Sequence, residues 1–128
     1  MELFRSRFGA GFKLAIDAHT RYNLDAAIYV AKALEAFNLV FFEEPVPPDQ
    51  LEAYKKVAAA TTVPIATGER LANKRESKEI MATGAMKYLQ PDTGNDLGIL
   101  ETFQMAAMAQ TYGIDMAPHC WCGSGTRT

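Results

Sequence analysis

The chain has 128 residues, of which 48% are hydrophobic and 22% charged, with a formal net charge of −2. These are the proportions of a soluble globular chain the size of one ordinary domain, and they exclude fibrous, collagenous and disordered readings. Thirteen Lys plus Arg against fifteen Asp plus Glu supply no basic face for a phosphate backbone, so no nucleic-acid partner is expected.

No apolar stretch approaches the roughly 18 residues of a membrane span. The start Met1-Glu2-Leu3-Phe4-Arg5 lacks the basic region and long apolar run of a signal peptide, which predicts a cytoplasmic protein without a membrane partner. Strand-length apolar runs alternate with helical periodicities, and turn or capping residues mark each boundary, as in repeated βα units around a parallel sheet.

The first strand is predicted over residues 12–17, followed by a helix over 24–36 with Asn23 as its N-cap. A second strand over 39–43 leads through the loop Pro45 to Pro48 into a helix over 51–60, where Asp49 and Glu52 form a capping-box pattern. The third strand is predicted over 64–69, and Asn73 with Glu76 repeats the capping signal before the third helix. A fourth strand over 86–91 precedes a helix over about 99–112, which ends before Gly113, a residue suited to a left-handed C-cap. The fifth strand is predicted over 114–119. All five are short and mostly apolar, as strands covered on both faces are. No linker, low-complexity segment or charge block divides the chain, so it reads as one α/β unit. Periodicity alone fits both an open doubly wound sheet and a (β/α)8 barrel.

Each strand leads to a residue able to do chemistry: Asp17, Glu43, Glu69, Asp92 and His119, spaced 23 to 27 residues apart. Successive parallel strands of that repeat would set these side chains around a common C-terminal rim, where barrel enzymes keep their active sites. Three carboxylates converging from neighbouring strands repel one another unless a cation compensates them, and hard oxygen donors suit Mg²⁺. Taken singly, each acid reads better as a helix cap or a solvated loop residue, and it is three at matching strand ends that shift the reading to a metal site. Glu44 adjoins Glu43, and strand alternation turns one of the pair away from the centre without saying which.

His119 lies in MAPHCW and Asp92 in LQPDTG. A carboxylate beside an imidazole fixes its tautomer and makes a proton-transfer dyad. His19 follows Asp17 by two residues, so extended geometry would project it to the same side, as a candidate general acid; its alternative is a surface loop histidine.

Other motifs fail. FGAGFK around Gly9 and Gly11 lacks the third glycine of a dinucleotide fingerprint and precedes a strand instead of following one. DTGNDLG from Asp92 lacks the ligand order of a calcium loop and reads as a turn. Cys120 and Cys122 are too close for a disulfide framework and too few for a four-ligand zinc site, so they read as reduced thiols. Met81, Met105, Met108 and Met116 read as gap-filling core. Trp121 and the small residues Cys122 to Gly125 read equally as the lining of a barrel mouth or as a flexible loop.

Taken together, AIDAH at Asp17, FFEEPV at Glu43, ATGERL at Glu69, LQPDTG at Asp92 and APHCW at His119 resemble the enolase superfamily, mandelate-racemase subgroup, over nearly the whole chain. The resemblance implies a partial (β/α)8 TIM barrel in which residues 1–128 supply about five βα units similar to strands three to seven. It implies that Asp17, Glu43 and Glu69 bind Mg²⁺, with the first Glu of the pair as the ligand, and that Asp92 and His119 are the base dyad. Asp92 stands where the muconate-lactonising, dipeptide-epimerase and enolase branches place Lys.

Within the subgroup, His19 two residues after the first ligand is similar to galactonate dehydratase-type acid-sugar dehydratases. The implied activity is that of a Mg²⁺-dependent lyase. The sugar acid's carboxylate coordinates the metal, His119 removes the α-proton to give a metal-stabilised enediolate, and His19 protonates the departing β-hydroxyl. The family's capping domain, three barrel strands and an eighth-strand acid have no counterpart here, and a whole barrel takes about 250 residues. Activity is therefore expected only in a full-length context, as a homo-oligomer. Two alternatives stay open. One is racemisation or epimerisation, which needs a second base, normally a second-strand Lys. The other is a standalone partial barrel that binds metal without turnover.

Overall fold

The computed structural model describes residues 1–94 and 98–120. They fall into two units, Met1–Ile65 and Ala66–Thr128.

The first unit opens with a helix for which the sequence pattern gave no signal, α1, Glu2–Phe8. None of its residues is buried, so no apolar stripe was there to be read. Arg5 ties it down instead: Nε and Nη2 donate to the Phe37 carbonyl at 2.8 and 2.6 Å, and Nη2 also donates to that of Asn38 at 2.9 Å. Phe12, expected to begin a strand, is exposed and stacks on Phe8 at 5.0 Å between ring centroids.

The strand β1 is Ile16–Asp17 and β2 is Phe42–Glu43, paired in parallel. The backbone bonds run further than these short ladders: Val40 N–H donates to Leu14 O at 2.8 Å and Ala18 N–H to Glu43 O at 2.9 Å. Helix α2, Leu24–Leu34, starts where Asn23 Oδ1 accepts the Ala26 N–H at 2.9 Å, as its cap pattern predicts. It tightens into a 3₁₀ turn, Glu35–Phe37, and Asn38 ends it at φ 47°. Helix α3, Leu51–Ala60, has the predicted bounds but not the predicted cap. Gln50 N–H donates to Pro47 O at 3.1 Å, which folds Asp49 into a turn one residue before the N-cap position, and Glu52 pairs with Lys55 at 2.9 Å.

The strands of the second unit are β3, Ile65–Thr67, whose first residue closes the first unit, β4, Tyr88–Leu89, and β5, Asp115–Met116. They pair in parallel in chain order. Gly68, at φ 143°, lies so close to β4 that a Cβ there would come within 2.7 Å of the Gln90 nitrogen. Helix α4, Lys74–Met81, has the capping pair expected of it. Asn73 Oδ1 accepts from Arg75 and Glu76 N–H, while the Glu76 carboxylate accepts from Ala72 N–H and Asn73 Nδ2. Helix α5, Gly98–Thr111, is followed by Gly113 at φ 69°, the left-handed end its sequence predicts. Met81 and Met105 are buried, but Met108 and Met116 are only half-buried, so two of the four expected core methionines sit at the margin.

Candidate active site

In the first unit, Asp17 and Glu43 are register partners at the ends of β1 and β2. Partners in a parallel pair project to one face, and like charges so placed repel. Two hard oxygen donors held side by side are a set that a divalent cation such as Mg²⁺ fits. Asp17 is half-committed already: Oδ1 accepts the His19 N–H at 2.6 Å, and Oδ2 lies 3.6 Å from His19 Nδ1. Extended geometry stops there, since His19 and Thr20 take φ of 49° and 60°. His19 is therefore returned to Asp17 by a left-handed turn, not by strand alternation. Thr20 N–H donates to Glu44 O at 2.8 Å, which ties this turn to the end of β2.

Glu44 is fully buried at φ 41°. Three non-glycine residues in the left-handed region cost on the order of 1–3 kcal/mol each, and such strain concentrates at functional sites. His19, Thr20 and Glu44 all follow the ends of β1 and β2.

The second unit carries a continuous polar cluster. His119 Nδ1 lies 2.7 Å from Asp92 Oδ2, and His119 Nε2 lies 3.2 Å from Glu69 Oε2. Arg70 Nη2 stands 3.4 Å from Glu69 Oε1. The two carboxylate side chains are 4% and 8% exposed against 25% for the imidazole, so the histidine is the member open to an incoming molecule. Asp92 and His119 also form a parallel bridge, with His119 N–H on Pro91 O at 3.2 Å, and Asp92 Oδ1 accepts the Gly94 N–H at 2.8 Å. That last bond is the turn expected of the DTG sequence.

A carboxylate accepts only, and Asp92 at 2.7 Å is the closer of the two, so in the neutral ring Nδ1 carries the hydrogen and Nε2 is the nitrogen that faces Glu69 at 3.2 Å. The arrangement can take a proton from a carbon acid set against Nε2. Asp17 and Glu43 close β1 and β2 in the first unit, while in the second Glu69, Asp92 and His119 lie two or three residues past the ends of β3, β4 and β5. The contact of His119 with Glu69, and the place of Arg70 beside it, were not anticipated. Only the shared C-terminal position of ATGERL and APHCW hinted at them. Cys120 is exposed; Trp121, Cys122 and the small residues to Gly125 lie outside the described residues. No helix among the described residues is long and apolar enough to cross a membrane.

Comparison with known proteins places this geometry. The chain is 40% identical over 119 residues to a D-galactonate dehydratase from Pectobacterium atrosepticum, which covers 93% of the chain and 31% of that relative. It superposes with a TM-score of 0.90 on a mandelate racemase/muconate lactonizing enzyme-like protein from Roseovarius sp. TM1035, at 38% identity over 95% of the chain and 31% of that structure. An L-talarate dehydratase from Polaromonas sp. JS666, crystallised with Mg and L-glucarate, gives 0.85 at 32% identity over 90% of the chain and 32% of its own. The chain thus spans about a third of the length of the relatives it matches. A family model, enolase C-terminal domain-like, matches residues 1–128. The α/β fold is part of the barrel that the resemblance implied, and the chain belongs to the enolase superfamily through its C-terminal domain.

Proposed function

We propose that the chain is the catalytic part of a Mg²⁺-dependent acid-sugar dehydratase of the galactonate type, a cytoplasmic lyase that works within a longer polypeptide and as a homo-oligomer. The observation that carries this reading is the His119 imidazole set between Asp92 and Glu69 at the ends of parallel strands. The dehydratase relatives support the substrate class, a small polyhydroxy acid.

Asp17, Glu43 and Glu69 would hold the metal; Asp17 and Glu43 are supported by their shared register. A divalent ion such as Mg²⁺ held there would supply positive charge to offset the negative charge that grows on the substrate carboxylate. His119 Nε2 accepts the proton from the carbon next to that carboxylate, and Asp92 keeps the imidazole in the tautomer that can do so. His19 then donates a proton to the hydroxyl on the following carbon, which leaves as water. The resulting enol tautomerises to a 2-keto-3-deoxy acid. The two proton transfers balance: one is taken from carbon, one is given to the leaving oxygen. Asp17 holds the His19 backbone, and Thr20 ties the turn to Glu44, so the acid is placed before substrate arrives.

A His19→Asn variant tests the division of labour. It is expected to retain exchange of the α-proton with solvent and divalent-ion binding while dehydration is lost. Full dehydration by that variant would remove His19 from the reading.

A further inference from the structure

Arg70 follows Glu69 directly, and its Nη2 lies 3.4 Å from Glu69 Oε1. The other carboxylate oxygen faces His119 Nε2 at 3.2 Å. Each oxygen of Glu69 is thus matched to a different nitrogen group. The carboxylate is 8% exposed and the guanidinium 40%, so a buried acid is gripped from its solvent side. On the proposed reading, Glu69 must offer one oxygen to a divalent ion while the other stays with Arg70. A glutamate side chain loses rotamer freedom when it is fixed. A hydrogen-bonding partner behind a metal-ligating carboxylate supplies that fixing in advance.

We propose that Arg70 is a positioning residue for Glu69, holding Oε1 so that the carboxylate keeps the orientation a divalent ion requires. This inference rests on the metal-site reading above. Its sign separates it from plain charge. A guanidinium acting only as a positive charge would repel the entering cation, and its removal would tighten binding. Positioning requires the reverse.

The test is Mn²⁺ affinity, read from the free-ion electron paramagnetic resonance signal, for the chain and its Arg70→Met, Arg70→Lys, Glu69→Gln and doubly substituted Glu69→Gln/Arg70→Met variants. Arg70→Met is expected to weaken binding by about 10-fold or more, with Arg70→Lys within about threefold of the original chain. In the Glu69→Gln background the Met substitution is expected to add nothing, because its effect passes through that carboxylate. Arg70→Gln takes the place of the Met variant if the latter does not fold.

Unchanged or tighter binding in Arg70→Met, or an equal loss with Glu69 already replaced, would overturn the assignment. A chain that takes up no Mn²⁺ at all removes the metal-site reading itself and this inference with it. That outcome is seen before any variant is compared.

Discussion

Asp92 and His119 meet twice, as a parallel backbone bridge and through a 2.7 Å contact between Oδ2 and Nδ1. The backbone bridge sets the separation of the two Cα atoms, and the side-chain contact then sets the imidazole's rotation. An Asp92→Asn variant keeps the shape but can present an N–H to Nδ1, which moves the ring hydrogen to Nε2 and blocks proton acceptance. Turnover of the sugar acid is expected to fall by about 10²–10⁴-fold, the usual range for losing a positioned base. Steady-state kcat together with a melting curve checks it, since the fold is expected to survive.

His119→Asn removes the nitrogen itself. Exchange of the substrate's α-proton in D₂O is expected to drop to background, with Mn²⁺ still bound, because the proposed ligands Asp17, Glu43 and Glu69 remain. Proton NMR of the substrate reads the first quantity and ion titration the second. Persistent exchange would place the base elsewhere.

Glu35 predicts a pH dependence away from the active site. Its carboxyl lies below the ordinary 4.5, first because it accepts the Thr62 N–H, at 2.7 Å, and then because of the Thr61 hydroxyl, at 3.0 Å. A folded-state value below the unfolded one gives a stabilisation that is fully present above pH 4.5 and is lost as pH falls through the lower folded value. The denaturation midpoints of the original chain and Glu35→Gln are therefore expected to differ at pH 7 and to converge in acid. A gap that persists in acid would contradict the assignment.

Gly68→Ala sets a Cβ 2.7 Å from the Gln90 nitrogen at a φ of 143°. Both the clash and the backbone conformation oppose the change, so a loss of about 2 kcal/mol or more is expected from urea unfolding. At Gly113, which is also left-handed but has open space around it, alanine meets only the conformational cost. Its effect is expected to be smaller, about 1 kcal/mol.

The ends of β1 and β2 at Asp17 and Glu43 were legible because short apolar runs and the turn and capping residues after them fix where each strand stops, whereas β3, β4 and β5 stop at Thr67, Leu89 and Met116, two or three residues before Glu69, Asp92 and His119. Asn23 and Asn73 announced their helices for the same reason: a side-chain oxygen beside free N–H groups is a local device. Helix α1 was not legible, because it buries no residue and owes its place to Arg5 reaching the Phe37 and Asn38 carbonyls across 32 and 33 positions of chain. The left-handed backbone at Glu44 was hidden too, since nothing in a Glu-Glu-Pro sequence marks it. Asp49 misled because a capping pattern shifted by one residue looks the same in sequence, whereas the Pro47 turn decides which residue stands at the cap. The Glu69 to His119 contact depends on the register of β3, β4 and β5 together, a quantity no single segment encodes.

The most direct measurement is to incubate the protein, expressed from its natural reading frame, with galactonate and Mg²⁺ in D₂O and to follow the sugar acid by NMR. Loss of the C2 proton and appearance of a 2-keto-3-deoxy acid are expected, both abolished by EDTA and by His119→Asn. An unaltered C2 proton across a panel of aldonates and aldarates, with metal shown to be bound, would contradict the dehydratase reading.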